Sequence, residues 1–267
     1  MITFVTHLRY DSDDRLKNLQ TIMDYYYNNI PDVKFIFIED DSEHNKAFDK
    51  LKYPKGTSFN FMKNDSVYYR TRALNHGFKM SNNPIVVSLD TDCIVPISSI
   101  LMCRDALLNG ATAAWPYNGY FIDTDFNLHD EFLKNNLDYD VLLNRLDGNY
   151  NLPLSSSYRN FHVRCTSSDH LGTGGIVMFN KELFLKAGGY NEKFIGWGCE
   201  DNEIVSRLKI LNYSTFRDTR NTSVCFHLFH RYAQRAENPF FDLNSKEWSK
   251  ISKMNKEQLE SYIETWK

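Results

Sequence analysis

Three short, almost wholly apolar runs constrain this chain most: residues 2–6 (ITFVT), 33–38 (VKFIFI) and 85–89 (IVVSL). Runs of this length rich in β-branched and aromatic residues read as strands, and strands apolar on both faces belong inside a parallel sheet. Between the first two lies a helical pattern through Leu16, Leu19, Ile22 and Met23 to about Tyr27, with Asp13 or Asp14 as a candidate N-cap. Strand, helix and strand form a β-α-β unit, which brings a right-handed crossover and a parallel pair. The expected fold class is therefore α/β, with a mostly parallel central sheet flanked by helices. In open sheets of this kind, ligands bind beyond the carboxyl ends of the strands. His7 and Arg9 stand at one such end, and residues 39–42 (Glu39, Asp40, Asp41, Ser42) at another.

The third strand ends in Asp90-Thr91-Asp92. In extended backbone, residues i and i+2 project to one side, which would point both carboxylates into the same crevice. Two like charges side by side repel unless a cation lies between them, and a divalent metal bridging to a phosphate is the economical answer. Before this strand, residues 68–80 read as a helix with Ala73, Leu74, Phe78 and Met80 inward and Arg70 and Arg72 at its start. Arginines oppose the helix dipole there, but suit an anionic ligand such as a diphosphate.

Helices are expected at 97–108, within 132–146 and at 181–187, with strands near 58–62, 111–122, 172–179, 214–217 and 223–226. Gly172, Gly174 and Gly175 suggest backbone close to a ligand, without the spacing of a P-loop or a dinucleotide fingerprint. After Gly188-Gly189 comes a dense stretch, Tyr190 to Glu203, containing Gly196-Trp197-Gly198-Cys199-Glu200-Asp201. An apolar helical pattern follows at once, so Glu200 and Asp201 fall at a helix start, where the dipole keeps carboxylates ionised. An oriented carboxylate beside a flat tryptophan suits a sugar site with a general base. Further on, His227 and His230 follow a strand. Carboxylate and imidazole ligands together favour Mn²⁺ or a related ion over Ca²⁺.

The organisation expected is one structural domain. Residues 1–110 form its first part, ending at the D-x-D strand, and 111–244 a second part with a polar insert at 123–170. Residues 245–267 form an amphipathic C-terminal helix whose Lys246, Lys250, Lys253 and Lys256 offer a peripheral contact to anionic lipid. A formal net charge of −3 provides no global basic field for nucleic acid. The five cysteines are odd in number and form no C-x-x-C pair, which speaks against a disulfide framework or zinc cluster and for reduced thiols in the cytoplasm. The N-terminus does not read as a signal peptide, and no segment is apolar enough to span a bilayer. The localisation expected is cytoplasmic, with an inner-membrane contact through the C-terminal segment left open, as is the oligomeric state.

Taken together, the β-α-β start, D-x-D at a strand end, G-G-Y-N, G-W-G-x-E-D and a later histidine resemble the inverting nucleotide-sugar glycosyltransferases of the GT-A fold. The pattern is similar to β-1,4-galactosyltransferases and bacterial chondroitin polymerase-type transferases. That resemblance implies a Rossmann-like GT-A domain with a C-terminal acceptor-side region. It implies that Asp92, with Asp90, holds a divalent ion, Mn²⁺ or Mg²⁺, on the donor diphosphate, and that His230, with His227 as second candidate, completes the shell. His7, Arg9, Glu39, Asp41, Arg72, Asn75 and Thr91 fall where the family grips the nucleotide. Gly175, Trp197, Gly198 and Glu200 fall on the sugar and acceptor side, and Asp201 matches the base. The implied activity is transfer of a hexose, galactose or N-acetylgalactosamine favoured, from a UDP-sugar to an oligosaccharide or lipid-linked glycan in bacterial surface polysaccharide synthesis. Two departures stand out: Cys199 where glycine is usual, and Glu39-Asp40-Asp41-Ser42 for the common D-D-G-S, which leaves open which acid meets the uracil.

Three other readings compete. Asp90-Thr91-Asp92 also looks like the loop of haloacid-dehalogenase phosphatases, with Asp90 as nucleophile, although that loop normally follows the first strand. A retaining N-acetylgalactosaminyltransferase uses a related W-G-x-E motif but usually lacks the acid at Asp201. A non-catalytic sugar-binding protein on this fold should have lost a metal or base residue, and none is missing.

Overall fold

The computed structural model of the chain describes residues 1–146, 157–158, 161–163, 171–231 and 238–266. Most of the 147–170 part of the expected insert lies outside these residues, as do Cys165 and positions 232–237. Strand β1 (Ile2–Leu8) leads through α1 (Asp13–Asn29) to β2 (Val33–Asp41), and β3 (Ser58–Lys63), α2 (Arg70–Met80) and β4 (Ile85–Leu89) follow. Ser12, rather than Asp13 or Asp14, caps α1: its side chain accepts from the Arg15 amide and leaves both aspartates in the first turn. Next come β5 (Cys93–Ile94), α3 (Ile97–Leu108), β6 (Ala113–Trp115) and β7 (Phe121–Asp123). The one helix expected within 132–146 is two, α4 (Phe126–Lys134) and α5 (Tyr139–Asn144). Asn136 and Leu137, with φ of 57° and 60°, break the helix between them. After β8 (Ser157–Tyr158) and β9 (Phe161–Val163) come β10 (Ile176–Asn180), α6 (Lys181–Lys186), α7 (Glu200–Ile210), β11 (Thr215–Arg217) and β12 (Cys225–His227).

The central sheet runs β11-β6-β10-β4-β1-β2-β3. Its β4-β1-β2-β3 half is parallel, and β10 is antiparallel to both neighbours. Every residue of β4 is buried, as expected of a strand covered on both faces. A second sheet, β5-β12-β7-β9-β8, starts from the residue after Asp92. The expected strand over 111–122 is thus two short strands in different sheets, because the Pro116–Gly119 interruption turns the chain from one to the other.

The amphipathic C-terminal segment is also two helices, α8 (Phe241–Ile251) and α9 (Lys256–Ile263), with Asn255 starting a capping box. Its apolar side chains Ile251, Leu259 and Ile263 are buried in the protein's own core. The Trp248 indole donates to Ser206 of α7, and Lys250 lies 3.8 Å from the centre of the Tyr262 ring. The segment's apolar face is thus occupied by internal packing, while Lys246, Lys250, Lys253 and Lys256, the residues expected to meet anionic lipid, are exposed. Among the described residues no helix is long and apolar enough to cross a membrane.

Two sets of contacts hold α2, α7 and the glycine-rich stretch in one frame. Along the start of α2, Thr71 Oγ1 donates to Phe194 O at 2.9 Å, Asn75 Nδ2 to Tyr190 O at 2.8 Å, and Tyr69 OH to Glu192 O. The Gly196 amide donates to Tyr68 O at 3.1 Å. From below, the fully buried Arg207 pairs with Glu203 at 2.7 Å and donates to the Ala187 and Gly189 carbonyls at 2.5 and 2.6 Å. Removing one member of a buried, hydrogen-bonded pair strands the other charge, at about 3–5 kcal/mol. Arg207→Ala should therefore lower unfolding free energy by about that amount in urea titration. Arg207→Met combined with Glu203→Leu should cost clearly less. Equal losses in the two variants would mean that the pair matters through shape rather than charge.

Candidate active site

At the carboxyl end of the parallel strands, the backbone turns at Asp90 instead of continuing extended, and the Asp90 amide donates to Gly175 O at 2.8 Å. The two carboxylates therefore diverge. Asp90 is part-exposed and faces Arg70 at 3.0 Å, whereas Asp92 is buried and faces two imidazoles. Its Oδ1 lies 3.3 Å from His227 Nε2 and its Oδ2 3.4 Å from His230 Nε2. Register produces this meeting. Antiparallel pairing of β5 with β12 sets Cys93 opposite His227, and the Leu228 amide donates to Asp92 O at 2.7 Å.

One ligand atom from each of Asp92, His227 and His230 lies within 4.8 Å of the others. A buried carboxylate and two imidazoles form a donor set that suits Mn²⁺ or a similar ion. Burial pushes Asp92 up, but His227, Arg15 and His230 outweigh it and hold the carboxyl well below its usual range. Burial also lowers His230, against the opposing pull of Asp92, which favours the neutral, ligating imidazole. The cluster thus takes in both candidate histidines and leaves Asp90 out.

The other wall carries Glu200 and Asp201 in the first turn of α7. Gly198 has φ of 114°, and Cys199 itself is left-handed at 71°. A glycine at position 199 would adopt that conformation without strain, which is the physical sense of the departure seen there. Glu200 is buried and accepts from the Gly198 amide at 2.9 Å. Asp201 packs against Gly174 so closely that a Cβ there would stand 2.4 Å from its Oδ2. At Gly175, whose φ is 80°, a Cβ would strike the Phe121 ring and Cys93 Sγ, so packing by itself already calls for glycine. Trp197 is 54% exposed and stacks with Phe241 at 5.8 Å.

Arg70 connects the walls. Its Nη2 also donates to Ser88, and its Nη1 lies 3.7 Å from Glu200 Oε1 and 3.5 Å from Asp201 Oδ1. Arg70 Nη1 and Asp201 Oδ1 are buried and face each other as an ion pair, at a distance too long or poorly aligned for a hydrogen bond. Arg72, the arginine expected to grip phosphate, is exposed on the far side of α2. The signal for this was present, since Arg70 shares the helical phase of Ala73, Leu74, Gly77 and Phe78 and Arg72 does not. Asn75 is likewise turned to structure, bonding Tyr190 and Glu192.

At the nucleotide end, His7 lies 3.5 Å from Asp40 and its ring stacks with Tyr68 at 5.5 Å. Arg9 donates to Asp40 O and Ser66 O. Asp40 accepts from the Tyr69 amide at 2.6 Å and from Asn64. Glu39 is fully buried on another side, against His44 and the Asn45 amide, and Asp41 is part-exposed, 3.9 Å from Arg9. Of the three acids, Asp40 is the one that faces His7. Thr91 accepts from Arg15, whose Nη1 lies 3.4 Å from Asp92. Tyr68 and Arg15 do not stand out in the sequence, where nothing distinguishes them from surface polar residues, and Asp40 is one of three adjacent acids among which the sequence does not choose.

Known proteins share this fold. Residues 152–231, which include Trp197, Asp201, His227 and His230, match a family model described as the N-terminal domain of galactosyltransferase. The structure is similar to the catalytic domain of Drosophila β1,4-galactosyltransferase 7, solved with xylobiose: TM-score 0.52, 12% identity, 96% of this chain and 82% of that one. It is similar also to the mannosyltransferase PcManGT of Pyrobaculum calidifontis, solved with GDP-Man and Mn²⁺: TM-score 0.51, 13% identity, 87% of this chain and 58% of that one. The fold is GT-A. No curated protein matches the chain by sequence. The expected GT-A fold class and the resemblance to GT-A nucleotide-sugar glycosyltransferases are thereby borne out. This GT-A sheet places Asp90–Asp92 after its β4 strand, whereas the phosphatase reading wants that loop after the first, and Arg70 holds the would-be nucleophile Asp90.

Burial pushes the Asp201 carboxyl up to about 8, with Arg70 opposing and Glu200 and Asp90 adding to the rise. An unfolded aspartate titrates near 4, roughly. Between these limits the folded protein holds a proton that the unfolded chain has lost, so stability from this group is complete below the lower value and is lost as pH rises through the upper. Asp201→Asn should remove that dependence. Its melting temperature should gain on the parent's as pH rises from about 5 to about 8.5. A constant difference across that range would show that Asp201 is already ionised.

Proposed function

We propose that the chain is a metal-dependent, inverting glycosyltransferase that moves a hexose from a UDP-sugar to a hydroxyl of a glycan acceptor. One observation carries this reading: a metal-type cluster, Asp92 with His227 and His230, lies two residues along the chain from Asp90, and the Arg70 that pairs with Asp90 also reaches Glu200 and Asp201. The nucleotide end is read as His7, Arg9, Asp40 and Tyr68, where an aromatic face and a carboxylate suit a pyrimidine base. A bound Mn²⁺ or Mg²⁺ ion would neutralise charge on the departing diphosphate. Arg70 adds a fixed positive charge beside it, already desolvated when the protein folds.

On the acceptor side, Trp197 supplies a flat apolar face and Glu200 a fixed oxygen for a sugar hydroxyl. Asp201 accepts the proton of the attacking hydroxyl as its oxygen bonds to the anomeric carbon. The bond from that carbon to the diphosphate breaks on the opposite face, UDP leaves with the electron pair, and an α-linked donor yields a β-linked product. The galactosyltransferase model over 152–231 favours galactose or N-acetylgalactosamine as the sugar. The likeness to bacterial polymerase-type transferases favours surface polysaccharide synthesis as the setting, with an oligosaccharide or lipid-linked acceptor.

A panel of UDP-sugars with Mn²⁺, scored by thermal shift and by NMR of the product anomer, tests the whole reading, and a retained α configuration would overturn inversion. Asp201→Asn should reduce transfer by about 10²–10⁴-fold while leaving donor binding within a few-fold. Near-parental turnover would remove Asp201 as base. Asp92→Ala should abolish Mn²⁺ binding measured by calorimetry, whereas Asp90→Asn should retain it. The reverse ranking would show that Asp90, not Asp92, is the principal ligand.

A further inference from the structure

An imidazole can ligate a metal through Nε2 only when its proton sits on Nδ1. Both histidines of the cluster turn Nε2 toward Asp92. His230 turns its Nδ1 to the Arg231 carbonyl at 3.2 Å, and His227 turns its Nδ1 to a carboxylate, Asp123 Oδ1, at 2.8 Å. Asp123 belongs to none of the motifs read in the sequence and lies 104 positions before its histidine. Parallel pairing of β7 with β12 places it directly opposite His227.

The neighbouring residue reinforces that register. The Thr124 amide donates to His227 O at 2.9 Å, and Thr124 Oγ1 accepts from the Phe229 amide at 3.1 Å. Asn18 of α1 donates to Leu228 O and Phe229 O, so the backbone between the two histidines is held from both sides. The Phe121 ring packs 5.4 Å from the His227 ring, at a tilt of 39°. Backbone contacts thus fix where His227 stands, and Asp123 is the group that faces its second nitrogen.

We propose that Asp123 is a positioning residue for the metal centre: it takes the Nδ1 proton of His227 in a hydrogen bond, fixes the ring's tautomer and turns Nε2 to the ion. The inference rests on the metal reading above but adds a residue which that reading does not contain. It also gives the two histidines different standing. His230 is oriented by a backbone carbonyl that no substitution removes, and His227 by a side chain that substitution can change. Outer carboxylates of this kind typically alter metal affinity by about 10–100-fold when removed.

The test uses the full chain with ¹⁵N-labelled histidine. In the metal-free parent, long-range ¹H–¹⁵N spectra should show His227, assigned with His227→Ala, as the Nδ1–H tautomer. Asp123→Ala should shift it toward a mixture and weaken Mn²⁺ binding, measured by EPR titration, about 10–100-fold. Asp123→Asn keeps the shape and one acceptor oxygen, so it should fall between and guards against a variant that fails to fold. His230→Ala serves as reference for loss of a ligand. An unaltered tautomer, with Mn²⁺ affinity within twofold of parent in both Asp123 variants, would overturn the positioning role. If His230→Ala also left affinity unchanged, the metal reading itself would fall, which separates the two failures.

Discussion

The guanidinium of Arg70, nine-tenths buried at the start of α2, is the charge around which the crevice is arranged. It faces Asp90 at 3.0 Å and stands within 4 Å of Glu200 and Asp201. Without it three carboxylates would face one another across a space with little water, a costly arrangement. Its own burial is tolerated for the same reason: Asp90 and Asp201 more than offset the desolvation and hold it firmly charged. The contacts from Tyr68, Tyr69, Thr71 and Asn75 to the 190–196 stretch keep this cation in place, and Arg207 holds the Ala187 and Gly189 carbonyls just before it. Fold and site are therefore coupled through two arginines, one facing the crevice and one facing the core.

Two aspartates show how environment divides one chemistry into two roles. Asp92 is surrounded by imidazoles and a guanidinium, which keep it ionised and suited to a cation. Asp201 is largely desolvated beside Glu200, with Arg70 at a longer distance, which pushes it up to about 8. A carboxyl poised near that value can take up or release a proton close to neutral pH. The residue types in the two places are the same. What differs is which neighbours the fold supplies.

Where the two sheets meet, a second dependence appears. Asp92 is followed at once by β5, the strand that pairs with β12, so the metal-type cluster sits at the join. Its geometry is set by backbone pairing over distances of more than a hundred residues, with Leu228 bonded to Asp92 and Asp123 opposite His227. Gly174, close under Asp201, and Gly175, wedged against Phe121 and Cys93, show how little room remains there for change.

Strand and helix periodicity alone determined the α/β class, the β-α-β start, the place of D-x-D at a strand end and the helix that begins at Glu200. These are local or near-local features, carried by side-chain alternation and by the dipole of one helix. The G-W-G-x-E-D stretch was legible too, because glycines, an aromatic and acids stand together in a few residues. Arg70 was half-legible: the helical phase that places Ala73 and Phe78 inward also places Arg70 there and Arg72 outward. Asp40 against its two acidic neighbours and the turn that separates Asp90 from Asp92 were decided by the tertiary structure. So was Asp123, for which a sequence offers no sign, since a register between strands 104 positions apart depends on every element folded between them.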